Sequence, residues 1–474
     1  MNIKNRAIPT RIITGSLTLL LLILMIAPDS LSHQTASRMT LRNAINIALD
    51  NNFTISAQKE KLTASDWSVK RAYSEYLPKV SLNQRLTRVD DTSVRYANFA
   101  IEGLKSFPGF EDVDIPPMLY KDTYQTNFAL TMPIYTGGQL KSNLETARIA
   151  KESDELTLTD NESEIILQVT RAFYDFIKNK EFLKVRQTTL ELSKSNLKNV
   201  KAKNELGLRP RSDILRWEAQ VATDESAVVE ALNGVAIARI SLTNLMGIDL
   251  HEDIDVEPYS EEEFNRLIGL YSRAMSESQN EKLSGLYSTA RQNNTGLQTI
   301  SLQKELNRTS IKLAKSQFFP QLSLSYNYAW QGNDTPKLDG YKSWDATLNL
   351  TYSFFSGFGD LAQVNRSQAE LRQAEKLEEN FGRNLDVSVF TSYNNIKTAL
   401  ARITLAEKNL IQAMDNLQLI KNRYDLGLAS NIDQIDAQLL ETTAEVNLIS
   451  AKYDLLISGA ELDRALGTSF LNER

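Results

Sequence analysis

Leu322-Ser323-Leu324-Ser325-Tyr326-Asn327-Tyr328-Ala329-Trp330 alternates large apolar side chains with small or polar ones. Successive side chains of an extended chain point to opposite faces, so this stretch is a strand with one apolar and one wet face. A second strand follows: Trp344, Ala346, Leu348, Leu350, Tyr352 and Phe354 alternate with Asp345, Thr347, Asn349, Thr351 and Ser353. Upstream, Phe128, Leu130 and Met132 alternate with Asn127, Ala129 and Thr131. A fourth strand, from Lys79 to about Val89, is the least regular, and its Arg85 and Arg88 need a polar or aqueous position. Each run has about ten residues, the length a tilted strand needs to cross a bilayer.

A soluble sheet resting one face on a core would alternate in the same way. The clustering of aromatic residues at the strand ends, and a leader upstream, favour the membrane. Four strands cannot close a barrel, and an open sheet edge is not tolerated in lipid. The barrel must therefore be assembled from several chains. Two chains would give about eight strands and a filled lumen, and three about twelve strands around water.

An internal repeat surrounds these strands. Ala48-Leu49-Asp50-Asn51-Asn52 recurs as Ala290-Arg291-Gln292-Asn293-Asn294, and Leu77-Pro78-Lys79-Val80 as Phe319-Pro320-Gln321-Leu322. Tyr135-Thr136-Gly137 matches Phe355-Ser356-Gly357, Leu206-Gly207-Leu208 matches Leu426-Gly427-Leu428, and Leu245-Met246-Gly247 matches Ala465-Leu466-Gly467. The offset falls from about 242 to about 220 residues, which places about 22 extra residues in the first copy between Asp91 and Tyr124. With Pro108-Gly109 and Pro116-Pro117, that insertion reads as a loop.

Each copy has the order helix, strand, loop, strand, long helix, tight turn, helix. Thr40 to about Tyr76 has helical composition and stops at Pro78, which lacks the N–H a helix needs. Pro320 ends the corresponding helix from about Ser284, and Pro133 marks the first copy's strand-to-helix junction, where the second copy has Ser353. The long helices carry no internal proline and at 1.5 Å per residue reach about 100 Å each. The reading divides the chain into a signal peptide over 1–32 and a first repeat over 33–247, with strand hairpin 79–133, long helix 139–204 and return helix 212–245. An equatorial linker over 248–283 follows, then a second repeat over 284–467, with strand hairpin 321–354, long helix 360–424 and return helix 431–466, and a tail over 468–474. The helix before the first strand and the return helix, stacked end to end, match one long helix.

Composition narrows the function. The net charge of −6 argues against nucleic acid as a partner, since phosphate binding needs clustered positive charge. There is no cysteine and only His33 and His251, so thiolate sites are excluded and a histidine-based catalytic or zinc site is not expected. Carboxylates are plentiful but form no recognised acid–base or metal spacing, and no phosphate-cradling glycine loop is present. The expectation is a protein that is not an enzyme and binds no cofactor or metal. Lys4, Arg6 and Arg11 precede an apolar run from Ile12 to Ala27, with Ser30 and Ser32 beyond it, the pattern of a cleaved signal peptide.

Two copies of helix, proline, strand hairpin, glycine re-entry, long helix, Leu-Gly-Leu turn and return helix resemble the TolC-like outer membrane factors over nearly the whole chain after the leader. The resemblance implies a mixed α and β fold: a long α-helical coiled-coil barrel across the periplasm, joined to a transmembrane antiparallel β-barrel of four strands per chain and closed by trimerisation. It implies a homotrimer seated in outer-membrane lipid, docked through a periplasmic adaptor to an inner-membrane transporter, as the exit duct of a tripartite efflux pump or of type I secretion. The periplasmic entrance would lie at the helix turns. There, Asp433 and Asp436 match the acidic pair that rings the family's constriction, and Tyr424 with Asp213, beside Ser212, matches the contacts that tie neighbouring helices shut. The family's gating arginine is Ala429 here, with Arg209 or Arg211 as substitutes, and Trp217 stands where the second copy has Ala437.

Ser430-x-x-Asp433 and Ser212-Asp213 are also what a helix start requires, so capping and selectivity are both open for these residues. Gly207 with Leu208 and Gly427 with Leu428 are read as turn structure, with positive φ at the glycines. The alternative function is a pore-free coiled-coil scaffold or adhesin of the outer membrane, which would show sustained heptads without interrupting strands.

Overall fold

The computed structural model describes residues 39–256, 259–275, 279–333, 338 and 340–468. The predicted signal peptide and the last six residues of the predicted tail lie outside them. Thr40 accepts a hydrogen bond from the Asn43 amide and starts α1 (Leu41–Asn51). The single helix predicted from Thr40 to Tyr76 is in fact two. Asn52 leaves helical geometry and its Oδ1 caps α2 (Phe53–Ser74) by accepting from the Thr54 amide at 2.9 Å. After Pro78 come β1 (Lys79–Arg88), α3 (Asp91–Lys105) and β2 (Asp122–Tyr135). Helix α3 corrects the predicted loop: the Asp90 carboxylate accepts from the Thr92 and Ser93 amides, and a 15-residue helix fits ahead of Pro108.

The hairpin α4 (Gln139–Glu205) and α5 (Arg211–Met246) leads into the predicted linker. That linker is largely helical, with α6 (Glu261–Met275) started by a reciprocal Ser260–Glu263 capping box. Next, α7 (Gln279–Asn293) begins earlier than the predicted Ser284 and breaks at Asn294, where α8 (Thr295–Lys315) is capped. A short 3-10 turn and Pro320 precede β3 (Gln321–Gly332) and β4 (Tyr341–Thr351), and the chain ends in the hairpin α9 (Gly359–Asp425) and α10 (Asn431–Leu466). Helices α4 and α9 have 67 residues each, and α5 and α10 have 36 each.

End-to-end stacking of the shorter helices has a visible joint. Asn52 Nδ2 donates to the Leu245 carbonyl at the end of α5, and Asn294 Nδ2 donates to the Ala465 carbonyl at the end of α10. At each joint a glycine with positive φ presses on the partner backbone. A Cβ on Gly247 would lie 2.5 Å from the Asn51 carbonyl oxygen, and one on Gly467 2.6 Å from that of Asn293. Both positions need glycine for conformation and for space. Around the joints the waist carries the core, including Phe173 and Ile177 of α4, Leu242 of α5, Ile396 of α9 and Leu455 of α10, all fully or almost fully buried.

The four strands form one antiparallel sheet in the order β1-β2-β3-β4. Its register aligns the alternation across all four. Leu82, Phe128, Tyr328 and Trp344 are successive partners on one face, and Ser81, Ala129, Asn327 and Asp345 on the other. The apolar face is bare: Leu82, Trp344, Leu348 and Leu350 are each more than 60% exposed. Two boundaries differ from the predicted ones. Tyr352, Ser353 and Phe354 fall beyond β4, because β3 begins at Gln321, opposite Thr351, and offers no partner further on. Pro133 lies within β2, at an irregularity in the ladder where its missing N–H is tolerated.

Candidate functional site

The two long hairpins turn at one end of the molecule, and the predicted site residues meet there. Each turn closes on a glycine with positive φ, Gly207 at +70° and Gly427 at +76°. The Gly207 amide donates to Asn204 O and that of Leu208 to Lys203 O; the Gly427 amide donates to Tyr424 O and that of Leu428 to Arg423 O. This pair of bonds satisfies carbonyls that the helix end leaves free. The leucines do not help to hold it: Leu208 and Leu428 remain exposed.

Helix starts differ between the two hairpins. Ser430 Oγ accepts from the Asp433 amide, and the Asp433 carboxylate accepts from the Ser430 N–H at 2.7 Å and from its hydroxyl at 2.8 Å. Those bonds hold the Asp433 carboxyl below the usual carboxylate range. Asp433 is therefore both a helix cap and an ionised side chain at the tip, and Asp436, one turn on, is exposed beside it. At the start of α5 no side chain caps. Pro210 occupies the N-cap position, the Asp213 amide donates to its carbonyl, and Ser212 is exposed. The predicted capping role of Ser212 is not realised, because the helix begins one residue earlier.

Asp213 is thereby left for another contact. Arg209 donates to the Tyr424 carbonyl at 2.9 Å, lays its guanidinium 4.2 Å from the centre of the Tyr424 ring, and reaches the Asp213 carboxylate at 3.8 Å. The expected direct bond between Tyr424 and Asp213 is absent. The Tyr424 hydroxyl is buried with no hydrogen-bond partner among the described residues, and burial raises its pKa. Arg209 links the two residues instead, from the turn just ahead of the Pro210 N-cap. Ala429, where the resemblance places an arginine, packs among Val200, Trp217 and Tyr424.

Three further contacts tie the first hairpin to the second. Lys203 bonds Asp425 at 3.2 Å, the fully buried Trp217 donates its indole N–H to Asn431 Oδ1 at 3.2 Å, and Asn431 Nδ2 donates to the Asp213 carbonyl. Deeper in the bundle, Ser193 Oγ donates to Asp224 at 2.6 Å and accepts from Gln438 Nε2 at 2.9 Å, which joins α4, α5 and α10 in one buried polar layer. Sequence reading missed this layer, since serine and glutamine carry no periodic signal of their own.

The molecule thus combines long paired helices, a tied tip and a four-strand sheet with one bare apolar face. The sequence pattern of the outer membrane efflux protein family matches residues 44–248 and 286–468. The chain belongs to that family. It is similar to the outer membrane protein TolC of Vibrio cholerae, at 25% identity over 336 residues, covering 69% of this chain and 73% of that protein. Its fold is that of a membrane protein from Pseudomonas aeruginosa, with a TM-score of 0.73 at 17% identity over 92% of this chain and 91% of the other. The CmeC outer membrane channel of Campylobacter jejuni superposes with a TM-score of 0.72 at 15% identity, over 92% of this chain and 87% of that one. As a member of this family the protein is an outer-membrane efflux channel, and the family is one of channels and not of enzymes.

Proposed function

We propose that three copies of this chain, each built of two repeats, form the exit duct of a tripartite efflux pump or of type I secretion. A periplasmic adaptor docks the duct to an inner-membrane transporter. The observation that carries this reading is the sheet: one face apolar and bare, the other polar, and both edges, β1 and β4, without strand partners among the described residues. A single copy could not survive in lipid with those edges open, whereas about twelve strands from three copies enclose a water-filled lumen. Helices of 67 residues extend the duct by about 100 Å on the periplasmic side. A pore-free scaffold or adhesin gives no reason for a sheet polar on one face and apolar on the other.

At the periplasmic mouth, Arg209 takes the part of the missing family arginine and ties Tyr424 to Asp213 in the resting state. Asp433 and Asp436 from three copies bring about six carboxylates to a narrow ring, which favours cations and binds multivalent ones. Single-channel recording in a planar bilayer tests both statements. The wild type is expected to conduct with cation preference and to be blocked by multivalent cations, and Asp433→Ala with Asp436→Ala to lose both properties. A double variant that keeps its selectivity and block would reduce Asp433 to a helix cap, and a protein that never conducts would sink the duct.

A further inference from the structure

We propose that neighbouring copies are joined edge to edge by an ion pair between Arg85 on β1 of one copy and Asp345 on β4 of the next. The pair closes the barrel and neutralises its inner wall at the same level. The proposal rests on the three-copy reading above and adds the register at which the copies meet.

The two strands are the outer edges of the sheet, and the order β1-β2-β3-β4 with antiparallel pairing throughout makes β4 antiparallel to the β1 that follows it. Arg85 and Asp345 both belong to the polar face: Arg85 stands opposite Gln125, and Asp345 opposite Asn327. Among the described residues, neither has a counter-charge within its own copy. Arg85 makes no ion pair or hydrogen bond among the described residues, whereas Arg88 is paired with Asp122 and Lys79 with Glu75. Asp345 accepts only from neutral groups, Asn327 Nδ2 at 3.1 Å and Thr347 Oγ1 at 3.3 Å. Lys342, the other charge on β4, stands opposite Trp330 on the apolar face.

Barrel geometry then selects the register. Straight across the sheet, Arg85, Gln125, Gln331 and Tyr341 are successive partners. Strands of a closed barrel tilt by about 35–45°, so the next β1 must be displaced along the seam, by an even number of residues if polar faces are to meet. A displacement of about four residues per copy, at about 3.3 Å per residue across about twelve strands spaced about 4.8 Å apart, gives a tilt of about 35°. In the direction of Thr351 it pairs every residue of Lys79–Arg88 with one of Lys342–Thr351 and sets Arg85 opposite Asp345. In the other direction only about three pairs would form, too few to seal an edge. A displacement of about six residues moves Thr87 opposite Asp345 and leaves Arg85 as its diagonal neighbour, still in reach of a long side chain.

The chain contains no cysteine, which allows a clean crosslinking test in the full-length protein. Directly opposed residues of antiparallel strands have Cα atoms about 4.5–5.5 Å apart, within the span of a disulfide. Arg85→Cys combined with Asp345→Cys, oxidised with copper-phenanthroline in isolated outer membranes, is expected to give covalent dimers and trimers on a non-reducing gel. Lys79→Cys with Asp345→Cys should give none. Independently, Arg85→Asp and Asp345→Arg should each reduce the fraction of detergent-resistant trimer, and their combination should restore it. If light scattering still finds trimers but the first pair does not crosslink and the charge swap does not rescue, this seam is wrong and the three-copy reading stands. If light scattering finds only monomers of the wild type, the three-copy reading falls and the seam falls with it.

Discussion

The two hairpin tips share a turn but not a way of starting the return helix. Both stop the long helix at Leu-Gly-Leu with the same backbone bonds. In the second, Ser430 and Asp433 satisfy one another and the free amides of α10, so the acid is used locally. In the first, Pro210 brings no side-chain cap, and Asp213 at the equivalent position turns to Arg209 and through it to Tyr424 of the other hairpin. Where the acid caps its own helix it stays within its hairpin; where the cap is missing, the equivalent carboxylate becomes part of a tie between hairpins. The second difference is bulk. Trp217 fills the space under Tyr424, and its counterpart Ala437 is a small residue buried in α10.

This contrast predicts a ranked set of outcomes. Trp217→Ala removes the largest fully buried side chain and its bond to Asn431, and it should lower stability by about 3–5 kcal/mol in chemical denaturation followed by helical signal. A loss no greater than that of an exposed substitution would show that the tip packs differently. Arg209→Ala removes a charge-assisted bond to a carbonyl and the link to Asp213, so the tie should weaken by about 1.5–3 kcal/mol and single-channel conductance should rise. Tyr424→Phe deletes a hydroxyl without a partner among the described residues, and conductance should stay at the wild-type level. Equal effects of the two changes would return the hydroxyl to the lock.

Smaller effects separate the caps. Ser430→Ala should cost about 0.5–2 kcal/mol and Ser212→Ala less than about 0.5 kcal/mol, measured by thermal unfolding of both variants. The pH dependence differs as well. The Asp433 carboxyl titrates below its unfolded value, so its stabilisation is complete above about pH 4 and is lost as pH falls through the folded value. Hydrogen exchange at the start of α10 should therefore accelerate in that acidic window. Asp433→Asn should abolish the change, whereas Ser430→Ala, which keeps the backbone N–H donor, should only reduce it; an unaltered profile in Asp433→Asn would assign the titration to another group.

Periodicity and punctuation decided a large part of this protein without reference to contacts. The alternation in Leu322–Trp330 and its companions set strand number and which side chains share a face, because side-chain direction in an extended chain follows from the backbone alone. The absence of proline from the long helices and the glycines at their ends set where each begins and turns, for the same local reason. Arg209 and Asp213 were visible as candidates too, but nothing local said that Tyr424 would lie beneath the guanidinium.

Tertiary structure decided the rest. Asn52 and Asn294 break helices whose composition reads as continuous, because their amides are needed as caps and as donors to the ends of α5 and α10, 193 and 171 positions away in the chain. Likewise, the Tyr424 hydroxyl, a natural candidate for a hydrogen bond by residue type, has no partner among the described residues, with Val200 and Trp217 packed around it. Which polar group is spent on a cap, which on a joint and which on a tie depends on what the fold brings within about 3 Å, and no pattern along the chain carries that distance.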